Sequence, residues 1–532
     1  QLCQHALRGT PALAKAIATT GAMTRFNVKD TLSNSAMARG RLGALKSGVI
    51  AALTLLSSTV AGRAVSLPLV STLDRTACAI RLPSDERIDC YLLNVPQNRA
   101  RGDSKIVQLP VIVFRSRNSE PKPDPVVFTA GGPGASSLGA FPSGKTMRIL
   151  DDRDFIVFEQ RGTKYARPNL DCPEVDSEHE RAFLLGLDVR ADRAQELDAA
   201  KKCFHRLVDS GIDLAEYNNA EIAQDLVDLR RLLRIKVWNL YGLSYSTWIM
   251  MDVMRLDPHG VRSALLESVE PPDVPYDEMG NANLQRSLDV LFDACASDFE
   301  CSRSYPDLRS AFAQTVQSLD RQPISITVKD AAGGKYQRPF TGRNAVDVVY
   351  SELNDAAVIP HLPQAIYDAS KGDYVALAAL AQDGLSPDSI SWGMRYSVWC
   401  ADGLPLDDPT IVSRETYRVH PLFDDEISAA FNPTICSFWR VPPAPASEWL
   451  PLTSTIPTLI LAGEYDPNTP PSWGRRALRT LSNGYLYEFS GYSHVPSRSA
   501  CAREITLAFF DDPTKAPDLP CFAKIKERAF VR

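Results

Sequence analysis

"KVWNLYGLSYSTW", residues 236–248, decides how this chain is read. An apolar, aromatic-rich run reaches Gly242, and Leu243-Ser244-Tyr245-Ser246 leads into "WIMMDVMRLDP", which reads as a helix. Strand, sharp turn and helix with a serine at the turn is the nucleophile elbow of hydrolases, written G-x-S-x-G, which exposes the hydroxyl at the top of a sheet. Here Ser246 stands where the second glycine is expected. Serine adds only a hydroxymethyl group, so the turn should survive with a tighter fit.

Outward from the elbow, the chain alternates strands and helices. "RIDCYLLNVP" and "KIVQLPVIVFRS", within residues 85–116, read as an opening antiparallel pair, and "DPVVFTAGGPG" (124–134) and "RDFIVFEQRG" (153–162) as buried strands. "AEIAQDLVDLRRLLRI" (220–235) reads as a helix with Ile222, Leu226, Leu229, Leu232 and Leu233 on one side, and "VRSALLESV" (261–269) as the next strand. The rhythm is lost from Pro271 to about residue 450 and resumes with "IPTLILAGEYDP" (456–467), "SWGRRALRTL", "GYLYEFSGYSHVP" (484–496) and "AREITLAFFDD". The expected fold is α/β: a mostly parallel central sheet with helices on both faces and a largely helical inserted cap. The expected division is an upstream segment at 1–64, a first core part at 65–270, the cap at 271–450 and a second core part at 451–532. Such a cap would lie over the C-terminal strand ends, where open α/β sheets bind ligands.

A serine hydroxyl needs a base to take its proton and a third group to orient that base. In this topology the order is Ser, then Asp or Glu, then His, each just past a strand. Ser244 follows "VWNLYG", Asp466 follows "TLILAGEY" and His494 follows "YLYEFSGYS". Each has a plainer reading alone: a chance motif, an Asp-Pro turn and an incidental histidine. Glu464 is a competing acid. Three coincidences in the correct order are a poor alternative to a catalytic triad. The oxyanion hole needs at least two donors; the N–H of Tyr245 is one and that of Gly132, in Gly131-Gly132-Pro133-Gly134, the expected second, with Gly131 the alternative.

These motifs resemble the prolyl iminopeptidase and tripeptidyl aminopeptidase group of α/β-hydrolases. The likeness covers most of residues 75–525: "GGPG" with "FEQRGTKYARPNLDC", "NNAEIAQDLVDLRRLLRIKVWNLYGLSYST", "VWCADG", "IPTLILAGEYDPNTPPSWGRRA" and "GYSHVP". It implies the hydrolase fold, a helical cap, the Ser244/Asp466/His494 triad and the Gly132/Tyr245 hole. Departures are Glu159 for the group's Asp, Ser246 for Gly and Ala130 for a frequent His; the last two bear on substrate class. Aminopeptidases of this group hold the substrate's ammonium with cap carboxylates, for which Glu270, Glu278, Glu300, Glu352 and Asp355 stand as unranked candidates.

Composition narrows the rest. The 532 residues are 44% hydrophobic and 23% charged, with net charge −6 and no long run of like charge. This argues against nucleic-acid partners. Residues 37–64, "MARGRLGALKSGVIAALTLLSSTVAGRA", carry a basic stretch (Arg39, Arg41, Lys46), a short apolar run and small residues. They read as a secretory signal cleaved after Ala61 or Ala64 and, being short of the roughly 20 apolar residues of a span, not as a stable membrane anchor. Cleavage would remove Cys3 and leave ten of the eleven cysteines. An even number in an exported chain suggests disulfides; near-neighbour pairing gives 78–90, 172–203, 295–301, 400–436 and 501–521, other connectivities staying open. No C-x-x-C or clustered histidine calls for a metal, and no cofactor is expected. The first reading is a secreted or periplasmic serine hydrolase releasing N-terminal residues or short peptides. The second keeps the triad on a small ester or lactone. The third, a binding protein that has lost catalysis, would be expected to lack a triad member.

Overall fold

The computed structural model describes residues 70–141, 147–187, 189–330, 332–381, 390–408, 432–525 and 529–531; the segment 37–64, expected from the sequence to be a secretory signal, lies outside them. The strands are β1 (Thr72–Arg75), β2 (Ile88–Pro96), β3 (Ile106–Phe114), β4 (Val126–Thr129), β5 (Phe155–Phe158), β6 (Trp238–Leu243), β7 (Val261–Glu267), β8 (Ile324–Lys329), β9 (Lys335–Phe340), β10 (Thr458–Gly463) and β11 (Gly484–Phe489). Nine of them form one sheet in the order β1-β2-β3-β5-β4-β6-β7-β10-β11, and β8 and β9 form a separate pair. β2 and β3 pair antiparallel as expected, and from β5 to β11 the neighbours run parallel. The chain leaves β4 on one side for β5 and returns on the other for β6. β4 is therefore the switch point, and the loops after β4 and β6 share one crevice. This is the α/β-hydrolase fold.

Two cores explain the strand sequences. Val126 and Phe128 of β4 pack with Ile505 and Phe509 of the helix Ala500–Asp511 on one face. Val127 packs with Ile222, Leu226 and Ile249 of the helices Asn219–Leu232 and Ser246–Leu256 on the other. Such double coverage selects a continuous apolar run over an alternating one. The Asn218 side chain caps the helix Asn219–Leu232, which stops earlier than its periodicity suggests and leaves Leu232 37% exposed.

The segment between β7 and β10 holds a third core, shared by the helices Tyr276–Ser297, Leu308–Arg321, Gly342–Glu352 and Leu362–Ser370 together with the β8/β9 pair. That hairpin's first strand alternates apolar and polar residues from Ile324 to Lys329 while its second does not, and no strand is expected there from the sequence. Nor are β1 and the helices Pro173–Leu185 and Val189–Asp209, which leave the sheet after β5. This excursion packs on the later cap segment: Phe204 meets Trp439 at 5.7 Å between ring centroids, and the Tyr396 hydroxyl donates to Glu196 at 3.0 Å. Five disulfides close Cys78–Cys90, Cys172–Cys203, Cys295–Cys301, Cys400–Cys436 and Cys501–Cys521, the near-neighbour pairing. Five disulfides suit an oxidising, extracytoplasmic setting.

Candidate active site

Ser244 sits where β6 turns into the helix Ser246–Leu256, with φ of +56°, a left-handed backbone that non-glycine residues rarely adopt. Its N–H donates to Glu267 O at 2.9 Å, and its carbonyl accepts from the Thr247 N–H at 2.8 Å and the Thr247 hydroxyl at 2.7 Å. The turn is crowded. A Cβ on Gly242 would lie 2.8 Å from Ser246 O, and one on Gly131 would lie 2.8 Å from Ser244 Cβ. Ser246 fits by hydrogen bonding: its hydroxyl accepts from the Leu243 N–H at 2.8 Å and donates to Thr129 O at 2.7 Å, bracing the elbow on β4.

Asp466 and His494 meet. His494 Nδ1 lies 2.8 Å from Asp466 Oδ2, and the carboxylate also accepts from the Asn468 N–H, the Thr469 N–H and, at 2.7 Å, the Thr469 hydroxyl. Burial would raise the Asp466 carboxyl, but His494 and these donors hold it below the usual range. Burial alone would lower His494; Asp466, with Glu267 behind it, raises the imidazole instead. Glu464, the competing acid, turns away and accepts from the Gly491 N–H at 2.9 Å. The Ser244 hydroxyl makes no hydrogen bond to His494 or to any other described residue, a common state before substrate tightens a site. The two residues are nonetheless joined through β7: Glu267 O holds the Ser244 N–H, and the Ser268 hydroxyl holds the Val495 N–H at 3.1 Å.

Neither the N–H of Tyr245 nor that of Gly132 donates to a described residue, so both remain available to a ligand. Gly132 has φ of +122°, and a Cβ on Gly131 would fall 3.3 Å from Tyr245 N, so the glycine loop lies against the first turn of the elbow helix. Glu159 is a structural residue: buried, it accepts from the Leu138 N–H, the Ser136 hydroxyl and the Thr163 hydroxyl. Ala130 is buried beneath the loop, its carbonyl accepting from Gln160 at 2.6 Å.

Among the cap carboxylates, Glu270 stands apart. It is 5% exposed, its backbone N–H donates to the Thr247 hydroxyl at 2.9 Å, and that same hydroxyl holds Ser244 O. Its carboxylate has no hydrogen bond or ion pair with a described residue. Burial pushes it up to about 7 and Asp277 adds to the rise, against the pull of Arg395 and His494. Asp277, raised to about 6 by burial, accepts from Trp399 Nε1 at 2.9 Å, while its Oδ1 is buried without a partner. Glu278 accepts from the Asp408 N–H, Glu300 pairs with Arg303 on the surface, Asp355 caps the Ala357 N–H, and Glu352 is also partnered. The sequence reading did not single out Thr469, Thr247, Asp277 or Arg395. Only Thr469, three residues beyond Asp466, carries a local signal, that of an Asp-headed turn. Among the described residues no group of three or more His, Cys, Asp or Glu is arranged to hold a metal.

Residues 420–521 match the family model described as TAP-like protein. Across 466 residues, 80% of this chain and 86% of the relative, the sequence is 26% identical to serine protease Hip1 of Mycobacterium tuberculosis. A stretch of 241 residues, 43% of each chain, is 27% identical to tripeptidyl aminopeptidase of Streptomyces coelicolor. The solved proline iminopeptidase of Mycobacterium smegmatis matches over 82% of this chain and all of its own, at 15% identity and a TM-score of 0.36. The chain is a serine hydrolase built on the α/β-hydrolase fold. It carries a TAP-like C-terminal segment and is similar over most of its length to a curated serine protease.

Proposed function

We propose that this chain is an exported aminopeptidase that releases residues or short peptides from peptides with a free N terminus. Ser244 Oγ attacks the carbonyl carbon while His494 Nε2 takes its proton. The imidazolium, held by Asp466, gives that proton to the leaving amine as the C–N bond breaks. Water, deprotonated by the same imidazole, then cleaves the acyl-enzyme and restores the serine. The N–H groups of Tyr245 and Gly132 receive the oxyanion in both steps. The segment from 271 to 450 acts as the cap that limits entry to short substrates.

One observation carries the peptide reading: Glu270 is buried, its carboxylate has no hydrogen-bond partner among the described residues, and its backbone N–H meets the same Thr247 hydroxyl that holds the Ser244 carbonyl. A buried carboxyl lacking a cation is costly, and a substrate ammonium is the group that relieves it. Similarity to enzymes named serine protease and tripeptidyl aminopeptidase supports the same reading. Export is supported by the five disulfides and by the sequence of residues 37–64. The test compares a peptide with its N-acetylated form. Acetylation is expected to lower kcat/KM at least about 100-fold, the equivalent of about 2.7 kcal/mol. Equal rates would remove the exopeptidase reading; rapid ester cleavage with no peptide cleavage would replace it with an ester or lactone hydrolase.

A further inference from the structure

Arg395 occupies a position that bracing alone does not explain. The chain around it runs along the glycine loop: Ala135 bridges Ile390, and the Ser391 N–H donates to Gly134 O at 2.9 Å. Arg395 Nη1 then reaches Gly132 O at 3.2 Å. The guanidinium lies 5.7 Å from the Trp392 ring centroid and 5.3 Å from that of Trp399, a geometry that fixes a planar cation. A guanidinium has five N–H donors. Among the described residues its one hydrogen bond is to Gly132 O; Nε is buried without a partner, and no carboxylate of a described residue lies within ion-pair distance. Glu270 and Asp277 are close enough for their charges to act on it, yet neither closes on it. A fixed cation beside the glycine loop, with donors to spare, is built to receive an anion from outside the chain.

We propose that Arg395 is a specificity-determining residue that receives a carboxylate of the substrate beside the Gly131–Gly134 loop. The site then recognises both signs: Glu270 takes the ammonium of a peptide and Arg395 takes an acid group near the scissile bond. For peptides this rests on the aminopeptidase reading, but the Arg395 subsite itself requires only the hydrolase. The acid is either the C-terminal carboxylate of a short substrate or an acidic side chain.

The experiment uses matched pairs: free-amine peptides ending in carboxylate or carboxamide, peptides with Glu or Gln flanking the scissile bond, and aryl esters of succinate or succinamate. The measured quantity is the acid-to-neutral ratio of kcat/KM within each pair. At least one pair is expected to give a ratio of about 10 or more in the wild type. That ratio should fall to about 1 in Arg395→Gln and to an intermediate value in Arg395→Lys. The pair that responds identifies the source of the carboxylate. Loss of the bond to Gly132 would slow both members of a pair and leave the ratio unchanged, so a bracing role alone does not produce this result. If Arg395→Gln does not fold, the wild-type ratio should still shrink as salt is raised. Ratios near 1 for every wild-type pair, or a ratio retained by Arg395→Gln, overturn the proposal. Because the ester pair needs no peptide cleavage, failure of the aminopeptidase reading is distinguishable from failure of the Arg395 subsite.

Discussion

Two regions near the elbow treat charge in opposite ways: the loop after β10, and the stretch that runs from the end of β7 into the helix Tyr276–Ser297. In the loop after β10, Asp466 is fully buried and fully satisfied, accepting from two backbone N–H groups, one hydroxyl and an imidazole. In the stretch after β7, Glu270 and Asp277 are almost as buried, yet among the described residues one carboxylate is bare and the other half-satisfied. Arg395 leaves most of its donors unused. The contrast shows in the carboxyl groups: Asp466 is held below its ordinary range, while burial drives Glu270 to about 7 and Asp277 to about 6. On the reading proposed here, the acid that must orient the base through a reaction is tied down by the protein, and the groups proposed to recognise a ligand are left for the ligand to complete.

The strongest way to break this contrast is to remove the reacting groups. Ser244→Ala and His494→Ala are each expected to cut kcat by at least about 1000-fold and to abolish labelling by a fluorophosphonate. The double variant should be little worse than either single, because the members act as one unit. Retained labelling of Ser244→Ala would move the nucleophile elsewhere.

Next in size is the stretch after β7. Glu270→Gln keeps the shape and removes the charge. It is expected to lower kcat/KM on a free-amine peptide about 100-fold and to leave the slower N-acetyl peptide nearly unchanged. An equal loss on both substrates would make Glu270 a structural group. With substrate bound, its ammonium lowers the Glu270 carboxyl from about 7, so binding near neutral pH should release protons, measurable as a buffer-dependent heat.

Smaller still is the effect of a positioning residue at the strand ends. The Thr469 hydroxyl donates to Asp466 Oδ2 at 2.7 Å and lies 3.2 Å from His494 Nδ1. Thr469→Val preserves the shape and should lower kcat about 10-fold with KM nearly constant, while Thr469→Ser restores it. A change confined to KM would place Thr469 in substrate binding.

The same contrast explains what could be read from the sequence. Ser244, Asp466 and His494 each follow an apolar strand in a short contiguous motif, so strand periodicity and local turn chemistry reveal them together. β4 to β7 and β10 to β11 are legible for the same reason. Glu270, Asp277 and Arg395 come from separate elements, and only the packing of the segment after β7 against the strand ends brings their charges together. No spacing announces that. Glu270 was one of five cap carboxylates with nothing in the sequence to rank them; its burial ranks it. In the β8/β9 pair, Ile324–Lys329 alternates apolar and polar residues but its partner Lys335–Phe340 does not, so no hairpin is legible from the two together, and the helices after β5 carry only a weak apolar stripe.

A last effect concerns stability, which moves Tm by only a few degrees and in which a group proposed for recognition should be a burden. The carboxyl of Glu270 stands at about 7 in the folded chain against an ordinary 4.5, so the native state holds the proton more tightly than the unfolded chain. For an acid shifted upward, native stability is greatest below the unfolded value and is lost as pH rises from 4.5 to about 7, after which the loss is constant. That interval corresponds to roughly 3 kcal/mol at 1.36 kcal/mol per unit. Glu270→Gln removes the ionisation and should therefore raise Tm by a few degrees, about 3–6 °C, at pH 8. The gain should shrink towards zero at pH 5, where the wild-type carboxyl is already protonated in the folded state. Saturating free-amine peptide should narrow the gap at pH 8 from the other side, by stabilising the wild type and not the variant. A gain equal at both pH values would mean that better packing, not charge, is responsible. A loss at pH 8 would mean that the carboxylate already has its cation, and the contrast between the loop after β10 and the stretch after β7 would fail at the residue on which it most depends.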